Sequence, residues 1–160
     1  MGYPIFVGVR GLSLTDVAGQ VSTYVNSLND KTPVDIALRV PVHVAKTTSE
    51  ALSNAEDSFM KQFRRLGTSL NSSTKQNTSD STEGRRERST ELAAIKWEDI
   101  QGEKVAVSDP ETVASQLGRM AKELKLTSII AEFNAGELIS KEKVKESLKL
   151  FCREVIPNFN

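Results

Sequence analysis

The feature that most constrains this chain is a run of strict alternation from Val34 to Ala45. Val34, Ile36, Leu38, Val40, Val42 and Val44 alternate with Asp35, Ala37, Arg39, Pro41, His43 and Ala45. A period of two sends the first set to one face of a β-strand and the second set to the other. One face is strongly apolar and is expected to pack on helices. The other is mixed, small and polar. Pro41 has no N–H to give to a ladder, so strand pairing is expected to break or bulge there.

The rest of the chain alternates strand-like and helix-like patterns around this run. Pro4 to Val9 is short, apolar and β-branched, and it stops at Arg10-Gly11, so it reads as a buried strand. Ser13 with Asp16 three residues on is a helix-capping pattern. Val17, Val21, Tyr24, Val25 and Leu28 then recur on one helix face. After the strand, Thr47 and Glu50 form a second capping box, followed by a stripe of Ala51, Leu52, Ala55, Phe59, Phe63 and Leu66 that is expected to end at Gly67. Asp109-Pro110-Glu111 is a helix start, with Val113, Leu117, Met120, Ala121 and Leu124 on its apolar face. Short elements are expected over Leu92 to Ile100 and Lys104 to Val107, and a strand over Thr127 to Phe133. Ser140 is expected to cap a last helix striped by Val144, Leu148, Phe151, Cys152 and Val155. Strands that are each followed by a helix imply parallel pairing with right-handed crossovers.

One stretch breaks the pattern. From Thr68 to about Glu91 polar residues dominate, and Leu70 is the only large apolar side chain. Such a segment buries too little surface to offset its ordering entropy, so residues 68–91 are expected to be a mobile or disordered insertion.

Charge and cysteine content narrow the function classes. The 21 basic and 21 acidic residues cancel, which argues against a general electrostatic grip on nucleic acid or on an anionic membrane. No apolar run approaches the ~18 residues of a membrane span. The start, Met1 to Val7, lacks a basic leader and enters a strand at once, so it is not read as a signal peptide. Cys152 is the single cysteine. It allows no internal disulfide, fits a reducing cytoplasmic setting, and is expected to pack as a small hydrophobe. One His and one Cys provide no ligand cluster, so no metal site is expected.

Two stretches resemble the bacterial luciferase family of flavin monooxygenases. The first is Gly2-Tyr3-Pro4-Ile5-Phe6-Val7-Gly8-Val9-Arg10-Gly11, continuing through a Tyr24-containing helix into Leu38-Arg39-Val40-Pro41-Val42-His43-Val44-Ala45-Lys46-Thr47. The second runs from Val107-Ser108-Asp109-Pro110-Glu111-Thr112-Val113 to Glu132-Phe133-Asn134-Ala135-Gly136 and on to the final helix ending at Pro157. The order and spacing of these stretches carry the resemblance, which covers most of the chain except residues near 68–91. Ser108 departs from it, standing where the family usually has glycine.

The resemblance implies an α/β fold: the C-terminal part, about three strand–helix units, of a TIM (β/α)8 barrel of about 250 residues or more. The polar stretch would be the family's mobile insertion. It implies a monooxygenase that uses reduced FMN, supplied by a separate flavin reductase, with O2 as co-substrate, to oxidise an organic substrate such as an aldehyde. The alternatives are a non-catalytic half-barrel that binds flavin or a partner, and a small α/β domain unrelated to flavin. The family's phosphate-gripping residues and catalytic histidine belong to the part this chain lacks. The chain alone is therefore expected to be inactive, and to self-associate or pair with an N-terminal half-barrel, since an arc of a barrel leaves open edges.

Barrel sites lie at the C-terminal ends of strands. By position Val7, Gly8, Val9 and Arg10 are the candidate flavin contacts. Arg10 reads equally well as a solvated loop arginine. His43 and Asn134 are the candidate substrate-pocket residues. His43 could act as an acid or base, but it has no clear acid partner in sequence, which favours a pocket-lining or structural role. Glu132 is expected to pair with Arg39 on grounds of alternation. Lys104 and the Arg85-Arg86-Glu87-Arg88 run could touch a flavin phosphate or simply be solvated. Trp97 is expected to anchor the returning chain.

Overall fold

The computed structural model describes residues 3–9, 11–29, 33–74 and 81–159. The alternating run becomes β2, Ile36–Val44, and β2 is the strand on which the sheet is built. It pairs with β1 (Ile5–Gly8), β3 (Ala106–Ser108) and β4 (Ser128–Glu132), and every pairing is parallel, as the strand–helix alternation requires. β1 runs beside Ile36 to Arg39, β4 beside Ala37 to Pro41, and β3 beside Val42 to Val44. Pro41 falls where β2 changes partners, which is the break expected of a residue with no N–H.

Helix α1 (Leu14–Ser27) starts on a full capping box. The Ser13 side chain accepts from Asp16 N, and Asp16 accepts from Ser13 N. Helix α5 (Pro110–Leu124) starts on Asp109, whose Oδ1 accepts from Thr112 N at 3.1 Å. Helix α6 (Lys141–Leu150) starts on Ser140. Helices α1 and α5 cover one face of the sheet, and α6, at the end of β2, reaches the same core through Leu150. Ile36, Leu38, Val40, Val42 and Val44, all at most 1% exposed, form a core with Val17 and Val21 of α1, Val113, Leu117 and Leu124 of α5, and Leu150 of α6.

A second apolar cluster holds the remaining helices. Helix α2 (Thr48–Thr74) contributes Ala51, Ala55, Phe59 and Phe63. These pack with Val105 and Val107 around β3 and with Trp97 and Ile100 of the short helix α4 (Trp97–Ile100). Trp97 is buried and anchors the returning chain as expected.

Three expectations are corrected. First, α2 does not stop at Gly67; it continues to Thr74. Second, the polar stretch is helical where it is described: residues 68–74 continue α2 and residues 81–91 belong to helix α3 (Ser81–Ala94); residues 75–80 lie outside the described part. The physical reason is local pairing. A side chain at Gly67 would meet Leu92 Cβ at 3.2 Å, so its absence lets α3 lie close against α2. The buried Ser89 hydroxyl donates to the Gly67 carbonyl at 2.9 Å, and Leu92 is 3% exposed. Polar composition concealed a helix pair whose contact needs only a few small and apolar residues.

Third, Cys152 is exposed, not packed. After Leu150 the helix widens to a π-helical turn, Phe151–Val155. That turn carries Val155 into the core and leaves Cys152, Arg153 and Glu154 outside. Among the described residues, no helix is long and apolar enough to cross a membrane.

Candidate functional site

The sheet face opposite α1 and α5 is open over β1, β4 and the first half of β2. The registers place Phe6 beside Ala37 and Ala37 beside Ser128; one pleat further on, Gly8 lies beside Arg39 and Arg39 beside Ile130. Phe6 is 64% exposed and Ile130 46%. Gly8 is exposed too, and a Cβ built there would touch only the Arg39 carbonyl at 3.6 Å. It therefore leaves bare backbone open on this face.

Arg39 and Glu132 meet on this face as alternation suggested. Arg39 Nη2 donates to Glu132 Oε1 at 2.7 Å. Glu132 is the register partner of Pro41. The arginine therefore reaches from its own row toward the C-terminal end of the sheet.

The described candidate flavin contacts, Val7, Gly8 and Val9, do not share one face. Val7 and Val9 belong with the helix-covered core, where Val9 is fully buried. Only Gly8 of the three faces the open side, with Phe6 two residues before it. Arg10 lies outside the described residues. Phe6 was missed because β1 is apolar on both parities, so alternation alone could not assign its faces. The nearby signal was Gly8, which marked the same side.

His43 and Asn134 also part company. His43 is 1% exposed, and its Nε2 has no protein hydrogen-bond partner among the described residues. Burial, with a smaller effect from Lys143, holds its pKa at about 4, below the ordinary imidazole value. The ring is therefore neutral near pH 7. Asn134 adopts a left-handed conformation (φ 56°) in the turn after β4. Its Oδ1 accepts from Ile139 N at 2.8 Å and from Ser58 Oγ at 3.2 Å, while its Nδ2 donates to Ile139 O at 3.0 Å. The side chain is occupied in holding the turn against α2. Gly136 is in that turn because a Cβ there would fall 1.5 Å from the Ser58 carbonyl oxygen.

Lys104 is half-buried rather than solvated. Its Nζ donates to Leu12 O at 2.6 Å and Val9 O at 3.3 Å, which closes the connection after β1. Burial lowers its pKa, and Glu103, Glu91 and Asp16 oppose the shift. Beside it lies a cavity of about 510 Å³ between this connection and α3, with Asp16, Arg88 and Glu91 on its walls. Lys104 and Arg88, which are distant in sequence, thus line one space at the C-terminal end of β1. Among the described residues, no three His, Cys, Asp or Glu side chains are grouped to hold a metal ion.

No protein-family model matches the chain, and no curated protein matches it in sequence. Solved structures match in fold. The monooxygenase RslO1 from Streptomyces bottropensis superposes with a TM-score of 0.58 at 14% identity, covering 99% of this chain and 43% of that one. The second is the oxygenating constituent of 3,6-diketocamphane monooxygenase from the CAM plasmid of Pseudomonas putida. This type II Baeyer–Villiger monooxygenase, in complex with FMN, superposes with a TM-score of 0.59 at 16% identity, covering 96% and 41%. Apo-MsnO8 gives 0.52 at 17% identity, covering 93% and 46%. The chain spans less than half the length of each. What it shares with these proteins is the α/β fold of one part of them: a parallel sheet with helices packed against it.

Proposed function

We propose that this chain is the C-terminal arc, about three strand–helix units, of a luciferase-like flavin-dependent monooxygenase of the (β/α)8 type. The observation that carries the reading is the open sheet face. Its strands are parallel and its other side is sealed by α1, α5 and α6, yet it presents Phe6, Gly8 and Ile130 uncovered. The likeness to monooxygenases, one of them in complex with FMN, supports the same reading.

Reduced FMN from a separate reductase, reacting with O2, would supply the oxidising chemistry toward a substrate such as an aldehyde. The residues on this face suit a planar ring. Gly8 allows close approach to backbone, Phe6 and Ile130 offer apolar contact, and Arg39 adds hydrogen-bond donors held by Glu132. Exclusion of water needs a cover that the described residues do not supply. β1 and β4 each pair only with β2 among the described residues, so both present edges to a partner. The partner that fits is an N-terminal half-barrel, with self-association as the default in its absence.

Anaerobic titration of the purified chain with reduced and oxidised FMN tests this reading. Sedimentation and a reductase-coupled oxidation assay on the same protein extend the test. Binding with turnover once an N-terminal half is added supports the oxygenase. Binding without turnover under every pairing supports the second reading, a non-catalytic flavin-binding half-barrel. A monodisperse, cooperatively melting monomer that binds no flavin overturns both.

A further inference from the structure

The buried end of β2 holds an atom that the open face does not explain. Buried polar atoms are almost always paired with protein or with ordered water, but His43 Nε2 has no protein partner among the described residues. The ring lines a cavity of about 20 Å³ at the junction of β2, α2 and α6. Lys46 reaches this cavity from the chain just after β2, Glu50 and Asn54 from α2, and Lys143 and Glu146 from α6. Lys143 Nζ donates to Asn54 Oδ1 across it. Beside it, Val44 N donates to the buried Ser147 hydroxyl at 2.7 Å, which ties β2 to α6 directly.

The volume decides what the site can take. A water needs roughly 10–15 Å³ of such space and two to four polar partners. The cavity is large enough for one water. We propose that a single ordered water fills it, bonded to His43 Nε2 and to the polar side chains around it, and that this water joins the end of β2 to α2 and α6.

A consequence is that the seat of α6 weakens in acid. A neutral imidazole shares the water without cost. A protonated one would be a buried cation facing Lys143 and Lys46, with Glu50 and Glu146 as the opposing charges. The folded pKa, about 4, lies below the ordinary value of 6.5. The seat is therefore at full strength above about pH 6.5 and loses strength as pH falls toward 4.

A high-resolution crystal structure and hydrogen exchange of the α6 amides at pH 7 and pH 4.5 test the site on the full chain. The expected results are one water in hydrogen-bond reach of Nε2, and a protection factor for α6 lower by roughly 50-fold at pH 4.5 after correction for intrinsic exchange. His43→Gln, which cannot be protonated, should remove that acid effect; His43→Phe should remove both the water and the effect. If one variant fails to fold, the other gives the same readout. An empty cavity in good density, or an acid effect that survives in a folded variant, overturns the proposal. Flavin plays no part in the measurement, so its outcome is separate from that of the monooxygenase reading.

Discussion

The two faces of β2 are made by one backbone and differ in almost everything else. On one face Ile36, Leu38, Val40, Val42 and Val44 are sealed under α1, α5 and α6. On the other, Ala37 and Arg39 lie between Phe6, Gly8, Ser128 and Ile130 with no helix of the described residues above them, while His43, further along, is enclosed by α2 and α6. Period two determines which residues share a face, but not whether that face is covered. Cover comes from elements far away in sequence, and on the open half none of the described residues provides it.

The sharpest way to break the comparison is to mutate adjacent residues on opposite faces. Leu38→Ala should cost about 2–5 kcal/mol, because it opens a cavity in a fully packed core. Ala37→Ser, one residue away, should stay within about 0.5 kcal/mol. Denaturant melts of both variants give the answer, and equal costs would show that the two faces are not physically distinct.

Asp109 comes next in size. It accepts from Thr112 N and Thr112 Oγ1 within α5, and from Thr48 Oγ1 at the start of α2, so it couples the helices of the two apolar clusters. Asp109→Ala should cost about 0.5–2 kcal/mol. The hydrogen bond from Thr48, then that from Thr112 N, holds its carboxyl well below the usual carboxylate range. Its folded pKa is depressed, so its contribution is present above the unfolded value of about 3.9 and is lost as pH falls below that. Melts of wild type and variant between pH 7 and pH 2 should draw closer toward the acid end without meeting, because the folded carboxyl is still largely ionised there.

On the open face the expected effects are smaller. The Arg39 side chain is 43% exposed and that of Glu132 18%. A double-mutant cycle with Arg39→Met and Glu132→Gln should give a coupling of about 0.2–1 kcal/mol at low salt, falling as salt rises. A coupling above that range would mean the face is drier than its exposure indicates. Phe6→Ser should change stability least, within about 0.5 kcal/mol. It should nonetheless reduce self-association in sedimentation velocity, since it removes the largest apolar group from the uncovered side. Unchanged association would place the contact between copies elsewhere.

Much of this was legible in the amino-acid order. The alternation over Val34 to Ala45 marked β2 and its two faces, and Ser13, Asp109 and Ser140 marked where helices begin. The Arg39–Glu132 pair followed from the side each residue takes on its strand. The helical form of residues 68–74 and 81–91 did not show in the sequence, because α2 and α3 meet through Gly67, Ser89 and Leu92, too few residues to register in composition. Cys152 was misread because a π-helical turn breaks the 3.6-residue period on which its placement rested. The candidate site was only partly legible. Gly8 was marked, but Phe6 was not, and Asn134 gave no sign that its polar atoms are spent on its own turn.

Local chemistry alone determined the strands, the helix starts and the parity of every β2 side chain, because backbone geometry and capping act over a few residues. Tertiary packing decided that His43 is sealed while Arg39 is open, that residues 68–74 and 81–91 are helical, and that half of one sheet face lies uncovered among the described residues. Those outcomes depend on which distant surface arrives to exclude water, and no local pattern encodes that arrival.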